Sequence, residues 1–103
     1  MSAREELERR LVEIPGVVRA PSRYGHGFAY RAGPREIAHF HRDGRLDVRL
    51  TREVIRLRKS EGGFDQRVTT RGPFSEWVSV RVSTPSDIPL SLGLVEDAVR
   101  ANT

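Results

Sequence analysis

The sequence predicts a single α+β domain, in which one mainly antiparallel sheet of about five strands packs against an N-terminal, a middle and a C-terminal helix. Helical periodicity occurs at both ends and in the middle of the chain, and short strand-like segments separated by Gly and Pro turns lie between. Strands joined by short turns pair antiparallel. With 103 residues, 37% of them hydrophobic, the chain can bury one core. Residues 1–103 are therefore predicted to form one domain.

The first helix is predicted over residues 2–13. Ser2 and Glu5 have the spacing of a capping box, in which each side chain accepts a hydrogen bond from the other residue's backbone N–H. Apolar residues then recur at helical spacing until Pro15-Gly16 ends the pattern. The apolar stripe of this helix is expected to cover the sheet.

Four strands are predicted to follow as a meander, since segments that favour extended structure alternate with turn residues. They comprise residues 17–23, 28–31 and 36–41 and a fourth strand after Asp43-Gly44. Asp43-Gly44 indicates a two-residue type I′ turn, because both central residues of that turn need positive φ, which Asp tolerates and Gly permits. This turn fixes the register of the third and fourth strands.

With a two-residue turn, His39 lies opposite Val48 in the neighbouring strand. Alternation along the strands then places His39 and His41 on the face that carries the aliphatic residues. Glu36 and Asp47 are predicted on the opposite face. This register separates the imidazoles from the two carboxylates and weakens any mechanism in which they act together directly.

The middle of the chain predicts a second helix and a long loop. Thr51 is the expected cap of the helix, which ends near Gly62-Gly63. Residues 61–75 are rich in glycine and charge and contain a strand-like patch at residues 67–69. We expect this loop to be mobile or functional.

The last part of the chain predicts a strand and a third helix. In residues 77–83, polar residues and Trp77 alternate with valines, which indicates a half-buried strand with its valines inward. Asp87 or Ser86 is the expected cap of the last helix. Apolar residues then follow at helical spacing, and Pro89 is tolerated in the first turn.

The charge is carried largely by arginine, with 17 arginines, one lysine and 14 acidic residues giving a net charge of +4. One local cluster is an alternative interface for nucleic-acid phosphates. It consists of Arg52, Arg56, Arg58 and Lys59. A solvated helix face is favoured, because the other arginines are scattered along the chain.

Two function classes are excluded or disfavoured by composition. The absence of cysteine excludes disulfides, thiolate nucleophiles and zinc–thiolate sites. No apolar run approaches the ~20 residues needed to span a bilayer, and the N-terminus is too polar to open a signal peptide. We expect a cytoplasmic protein that does not enter a membrane.

Four parts of the sequence carry a resemblance to a known family: residues 14–17, residues 35–48, residues 77–80 and the closing helix at Asp87. Together they resemble the uncharacterised "luciferase domain" family of small bacterial and fungal proteins. The resemblance covers nearly the whole chain and is most specific in one motif. That motif is matched by Glu36, Ile37, His39, His41, Asp43, Gly44 and Asp47. The family name implies no established light-emitting reaction. The order of elements also has a weaker, architectural similarity to YjbR-like (MmcQ) proteins, which have been associated with DNA binding.

The motif and the late aromatic residue suggest a ligand-binding or interaction module. The candidate binding residues are His39, His41, Asp43 and Trp77, with Glu36 and Asp47 as supports. The expected partner is a small molecule or a protein of unknown identity.

A metal- or histidine-dependent enzyme is the main alternative. His-x-His on one strand aims both imidazoles to one side, so His39 and His41 are candidate metal ligands, with His26 as a third. Their other interpretation is as interior or pocket histidines that bind backbone carbonyls or Asp43. No nucleophile motif, phosphate loop or cofactor fingerprint is present.

Overall fold

The computed structural model describes residues 1–23 and 27–103. Three α-helices, six strands and one short 3₁₀ turn occur in the described residues. They are α1 (Ala3–Leu11), β1 (Val17–Pro21), β2 (Phe28–Ala32), β3 (Arg35–Phe40), β4 (Leu46–Arg49), α2 (Arg52–Ser60), β5 (Val68–Thr70), β6 (Trp77–Val80), the 3₁₀ turn (Pro85–Asp87) and α3 (Ile88–Ala101).

The strands form one open sheet in the order β1-β2-β3-β4-β6-β5, and every neighbouring pair is antiparallel. The predicted α+β class and meander are confirmed. The predicted number of strands is wrong, because β5 adds a sixth strand within the segment expected to be a loop. Three residues are too few to show periodicity, and β5 is an edge strand that depends on β6 for all of its pairing.

The helices cover one face of the sheet. The apolar residues of β4 and β6 alternate with polar ones, and Val48, Val78 and Val80 belong to the core that the helices cover. The helix α3 packs on β3 and β4 and also contacts α1. We call the other face, which turns away from this core, the far face.

The helix α1 is capped as the sequence predicts. The Ser2 N–H donates to the Glu5 carboxylate at 3.0 Å, and the Glu5 N–H donates to the Ser2 hydroxyl at 3.1 Å. The helix ends at Leu11, two residues earlier than predicted. Leu7 and Leu11 are fully buried, so the expected apolar stripe does form the contact with the core.

The turn between β3 and β4 is not the predicted type I′ turn. Among the described residues, Thr51 alone of the non-glycine residues has a positive φ, so Asp43 does not adopt the required conformation. The Gly44 N–H donates to the His41 carbonyl at 2.9 Å, and the His41 N–H donates to the Arg45 carbonyl at 2.7 Å. Residues 42–44 therefore form a three-residue loop, with Gly44 at φ 90°.

This longer loop shifts the register of β3 and β4 by one residue. His39 lies opposite Asp47, and Ala38 lies opposite Val48. Side chains alternate between the two faces of a sheet with a period of two. A shift of one residue therefore pairs each residue of β3 with a β4 residue that points to the opposite face from the one predicted. His39 therefore points to the far face, and the predicted separation of His39 from the carboxylates is wrong.

A β-bulge in β3 brings in the second carboxylate. Tyr30 lies opposite Ala38, but Arg31 lies opposite Glu36, so Ile37 is an extra residue in β3. The extra residue reverses the alternation. Glu36 and His39, three residues apart, consequently lie on the same face.

Asp87 occupies the predicted N-cap position of α3, but its side chain makes no capping hydrogen bond to that helix. Its buried carboxylate accepts hydrogen bonds from the N–H groups of Ser83 at 2.8 Å and Thr84 at 3.0 Å, and the Arg67 guanidinium lies 3.2 Å away. Burial opposes ionisation, but these hydrogen bonds and the nearby arginines lower the pKa of Asp87 to about 2. The carboxylate therefore joins the chain before the 3₁₀ turn to the loop that contains Arg67.

No helix in the described residues is long and apolar enough to cross a membrane.

The positive φ of Gly44 can be tested by substitution. Gly44→Ala should reduce the free energy of unfolding by about 1–2 kcal/mol, because a Cβ is strained at this positive φ. Gly93→Ala, within α3, should raise it by about 1 kcal/mol, because a Cβ there meets no atom within 4 Å and alanine favours the helix. Urea unfolding measures both changes, and equal effects of the two substitutions would contradict the assigned loop.

Candidate functional site

Three neighbouring strands bring a histidine, a carboxylate and a hydroxyl together on the far face. His39 in β3 lies opposite Asp47 in β4, and Asp47 lies opposite Ser79 in β6. The bulge adds Glu36, and the segment before β6 adds Arg71. We call these five residues, Glu36, His39, Asp47, Arg71 and Ser79, the His39 centre.

The imidazole of His39 lies between two carboxylates. Its Nδ1 is 2.9 Å from the Glu36 Oε2, and its Nε2 is 3.1 Å from the Asp47 Oδ2. Ionised carboxylates only accept hydrogen bonds, so both ring nitrogens favour carrying a proton. Burial lowers the pKa of His39, but the hydrogen bond and charge of Asp47, together with Glu36, raise it above its ordinary value. His39 is therefore favoured as an imidazolium ion.

Glu36 is held from the opposite side by the chain that follows β1. Its carboxylate accepts a hydrogen bond from the Ser22 hydroxyl at 3.2 Å and another from the Arg23 N–H at 3.0 Å. The side chain is 2% exposed. A buried carboxylate needs such donors to replace water, and here they fix the orientation of Glu36 toward His39.

Asp47 contacts three polar side chains, those of His39, Ser79 and Arg71. The Ser79 hydroxyl donates at 2.5 Å, and the Arg71 guanidinium lies 3.1 Å from the oxygen that faces His39. Burial raises the pKa of Asp47, but the hydrogen bonds from His39 and Ser79 and the charge of Arg71 lower it overall. The carboxylate is therefore ionised at neutral pH.

This arrangement does not activate Ser79 as a nucleophile. A serine is activated when its hydroxyl donates to a base such as a neutral imidazole. Ser79 instead donates to Asp47, whose lowered pKa makes it a weak base. The contacts of Ser79 in this centre therefore differ from those of the serine in a hydrolytic triad.

Trp77 lies beside His39 on the far face. The two ring centroids are 4.9 Å apart with an interplanar angle of 50°, and the Arg49 guanidinium lies 5.9 Å from the Trp77 ring centre. The structure thus brings together four of the predicted site residues. They are His39, Trp77, Glu36 and Asp47.

His41 and Asp43 are placed apart from this centre. Both side chains are exposed at the loop after β3, where the His41 Nδ1 lies 3.3 Å from the Asp43 Oδ1. The Asp43 carboxylate also accepts from the Arg45 N–H at 3.0 Å, which lowers the pKa of Asp43. In the described residues, His41 makes its ion-pair contact with Asp43 and not with the carboxylates that hold His39.

The predicted metal site has little geometric support. No group of three or more His, Asp or Glu side chains that could hold a metal ion occurs in residues 1–23 and 27–103. Both nitrogens of His39 already face carboxylates at 2.9 and 3.1 Å. The third candidate ligand, His26, lies outside the described residues.

The predicted cluster of cations on α2 is divided. Arg58 turns toward α3 and pairs with Asp97. Arg52, Arg56 and Lys59 instead line a groove of about 680 Å³ beside Phe74. The described residues that line this groove are different from those of the His39 centre.

Three residues of the site were not predicted as functional. Ser79 follows the same alternation as Trp77 and could have been placed on the far face once its partner strand was known. Ser22 and Arg71 lie in irregular segments, where no periodicity indicates which way a side chain points. Their contacts with the His39 centre are long-range and become evident only in the tertiary structure.

Comparison with known proteins identifies the family. The sequence profile of the family described as Luciferase domain matches residues 34–98, which is more than half of the chain. The chain belongs to the luciferase-domain family. The matched residues include the whole His39 centre and Trp77, whereas Ser22 lies before them. No curated protein and no solved structure matches the chain significantly.

The raised pKa of His39 predicts a pH-dependent stability. Stabilisation by the imidazolium is fully present below the pKa of an unfolded histidine, about 6.5, and is lost as pH rises through the higher folded value. The free energy of unfolding should therefore fall as pH rises above about 6.5 and through the folded pKa of His39. Urea unfolding across this range, with the His39 pKa followed by NMR, measures the effect.

A matched pair of variants tests whether the carboxylate of Asp47 raises the His39 pKa. Asp47→Asn should lower the His39 pKa and reduce the alkaline loss of stability, because it removes a carboxylate charge beside the ring. Asp43→Asn, which alters the exposed pair with His41, should leave the His39 titration unchanged. A His39 pKa that is equal in wild type and Asp47→Asn would contradict the proposed cause.

Proposed function

We propose that this domain binds a small anionic molecule, such as a carboxylate, at the far face over the His39 centre. One observation carries the proposal: an ionised network is built on this face, and its cations are the accessible members. The Arg71 side chain is 47% exposed and that of His39 is 20% exposed, whereas those of Asp47 and Glu36 are 4% and 2% exposed.

The network is not needed to fill the hydrophobic core. The core lies between the helices and the other face of the sheet. Buried ion pairs contribute little to stability, because the cost of removing charges from water offsets much of their attraction. A set of oriented charges in this position is therefore more consistent with binding than with folding.

Arg71 is the residue best suited to contact the ligand. One of its nitrogens lies near Asp47 and Ser79, and a guanidinium group has five N–H donors in a planar fork. The remaining donors match the two oxygens of a carboxylate. His39 supplies positive charge nearby, and Trp77 supplies apolar surface on the same face.

Binding is better supported than catalysis by His39. An imidazole acts as a general base through an unprotonated nitrogen, but here both nitrogens face carboxylates. The family name carries no light-emitting reaction to this chain. The similarity to YjbR-like proteins stays an architectural prediction, and the binding proposal does not depend on it.

The proposal is tested by titrating acetate and benzoate into isotope-labelled protein and following the Arg71, His39 and Trp77 side-chain signals by NMR. We expect saturable shifts with a weak Kd of about 1 mM, since these probes contain only part of a ligand. Methylammonium, which has the opposite charge, should cause none.

Variants distinguish a site from a general charge effect. Arg71→Ala should abolish the saturable shifts. Arg100→Ala removes an exposed arginine that pairs with Asp97 on α3 and should leave them unchanged. No saturable shift with either carboxylate, or equal loss in both variants, would overturn the proposed function.

A further inference from the structure

A groove on the helix side of the molecule carries a second set of functional features. It lies between α2 and the turn that precedes β6, and its volume is about 680 Å³. This is within the range of pockets that hold small ligands or a nucleotide. Three cations and one exposed aromatic ring meet at its walls.

The three cations form a stripe on one side of α2. Arg52, Arg56 and Lys59 have spacings of four and three residues, which places them on one helix face over about 10 Å. All three are exposed, and none forms an ion pair with a carboxylate in the described part of the chain. Among the described residues that line the groove, Glu53 is the one carboxylate, so this lining is net positive.

Arg58 shows that this exposure is not general for the cations of α2. Its guanidinium pairs with Asp97 of α3 and lies 5.9 Å from the centre of the Phe64 ring. The helix thus uses one arginine to pack against its neighbour. The other three cations are directed into the groove, where a ligand can neutralise them.

Phe74 provides the aromatic wall. Its side chain is 80% exposed, although a phenyl ring gains free energy from burial. It occupies a corner of a β-turn in which the Ser75 N–H donates to the Gly72 carbonyl at 3.0 Å. Pro73 precedes it in the turn and restricts the backbone. The ring is therefore held at the groove by a short, constrained turn.

We propose that this groove binds single-stranded nucleic acid, with phosphates on Arg52, Arg56 and Lys59 and one base stacked on Phe74. A cationic groove combined with an exposed aromatic ring is the pattern that recognises single strands, because the cations follow the backbone and every base has a face that stacks. An acidic peptide would neutralise the cations but has no requirement for an aromatic ring. This site is independent of the proposed carboxylate site, so either can fail alone.

The charge contribution is tested by fluorescence anisotropy with a labelled oligothymidylate of about 12 nucleotides. Three phosphate contacts predict that log K falls with log salt concentration with a slope of about −2. Arg56→Ala should weaken binding and reduce the slope by about 0.7. Arg42→Ala, which removes an exposed arginine from the loop at the other end of β4, should change neither.

The stacking contribution is tested at Phe74, where exposure makes a folding defect improbable and circular dichroism checks the fold. Phe74→Trp should retain or improve affinity. Phe74→Leu, which keeps apolar area but loses the ring, should weaken binding about tenfold or more, as expected for the loss of one base stack.

Any one of several results would overturn the proposal. They are no binding of the oligonucleotide at low salt, equal affinity of the Leu and Trp variants at position 74, and binding of a polyglutamate peptide or of the matching duplex as tight as that of the single strand. Loss of binding in Arg42→Ala equal to that in Arg56→Ala would do the same, because it would indicate non-specific attraction to the basic protein.

Discussion

The placement of His39 between Glu36 and Asp47 is the interaction on which the far face depends. The ring contacts a carboxylate from its own strand and one from the next, and those carboxylates bind Ser22, the Arg23 N–H, Ser79 and Arg71 in turn. Through these contacts His39 joins its own strand to four other parts of the chain. Without its charge, two buried carboxylates would face each other with less compensation, which is costly in a region of low dielectric.

The helices and most strands could be predicted from the sequence because their signals are local. The capping box of α1 and the Thr51 cap of α2 each depend on residues within one turn of the helix. The inward valines of β6 follow from alternation over four residues. Composition and periodicity therefore sufficed for the fold class and for the position of the core.

The site itself could be predicted only in part, because its geometry depends on long-range pairing. The motif selected His39 with its two carboxylates, and the structure places Trp77 beside the His39 ring, but the loop at Asp43-Gly44 is one residue longer than the predicted turn. Asp and Gly satisfy both a two-residue turn and a longer loop that ends in glycine, so local chemistry did not separate the two. The bulge at Ile37 has no local signal, since it is defined by the pairing of β3 with β2. The contact of Arg71 with Asp47 has none either, since Arg71 lies in an irregular segment.

The loop at residues 42–44 and the extra residue Ile37 also bear on how relatives of this protein should be aligned. Each adds one residue relative to a regular hairpin with a two-residue turn. Both added residues are needed to bring the side chains of Glu36, His39 and Asp47 onto one face. A homologue that retained every motif residue but lost one position in either place would direct a carboxylate into the hydrophobic layer instead. The number of residues in the hairpin therefore indicates the His39 arrangement as strongly as the residue types do. A deletion within the hairpin marks a relative in which the histidine no longer lies between two carboxylates.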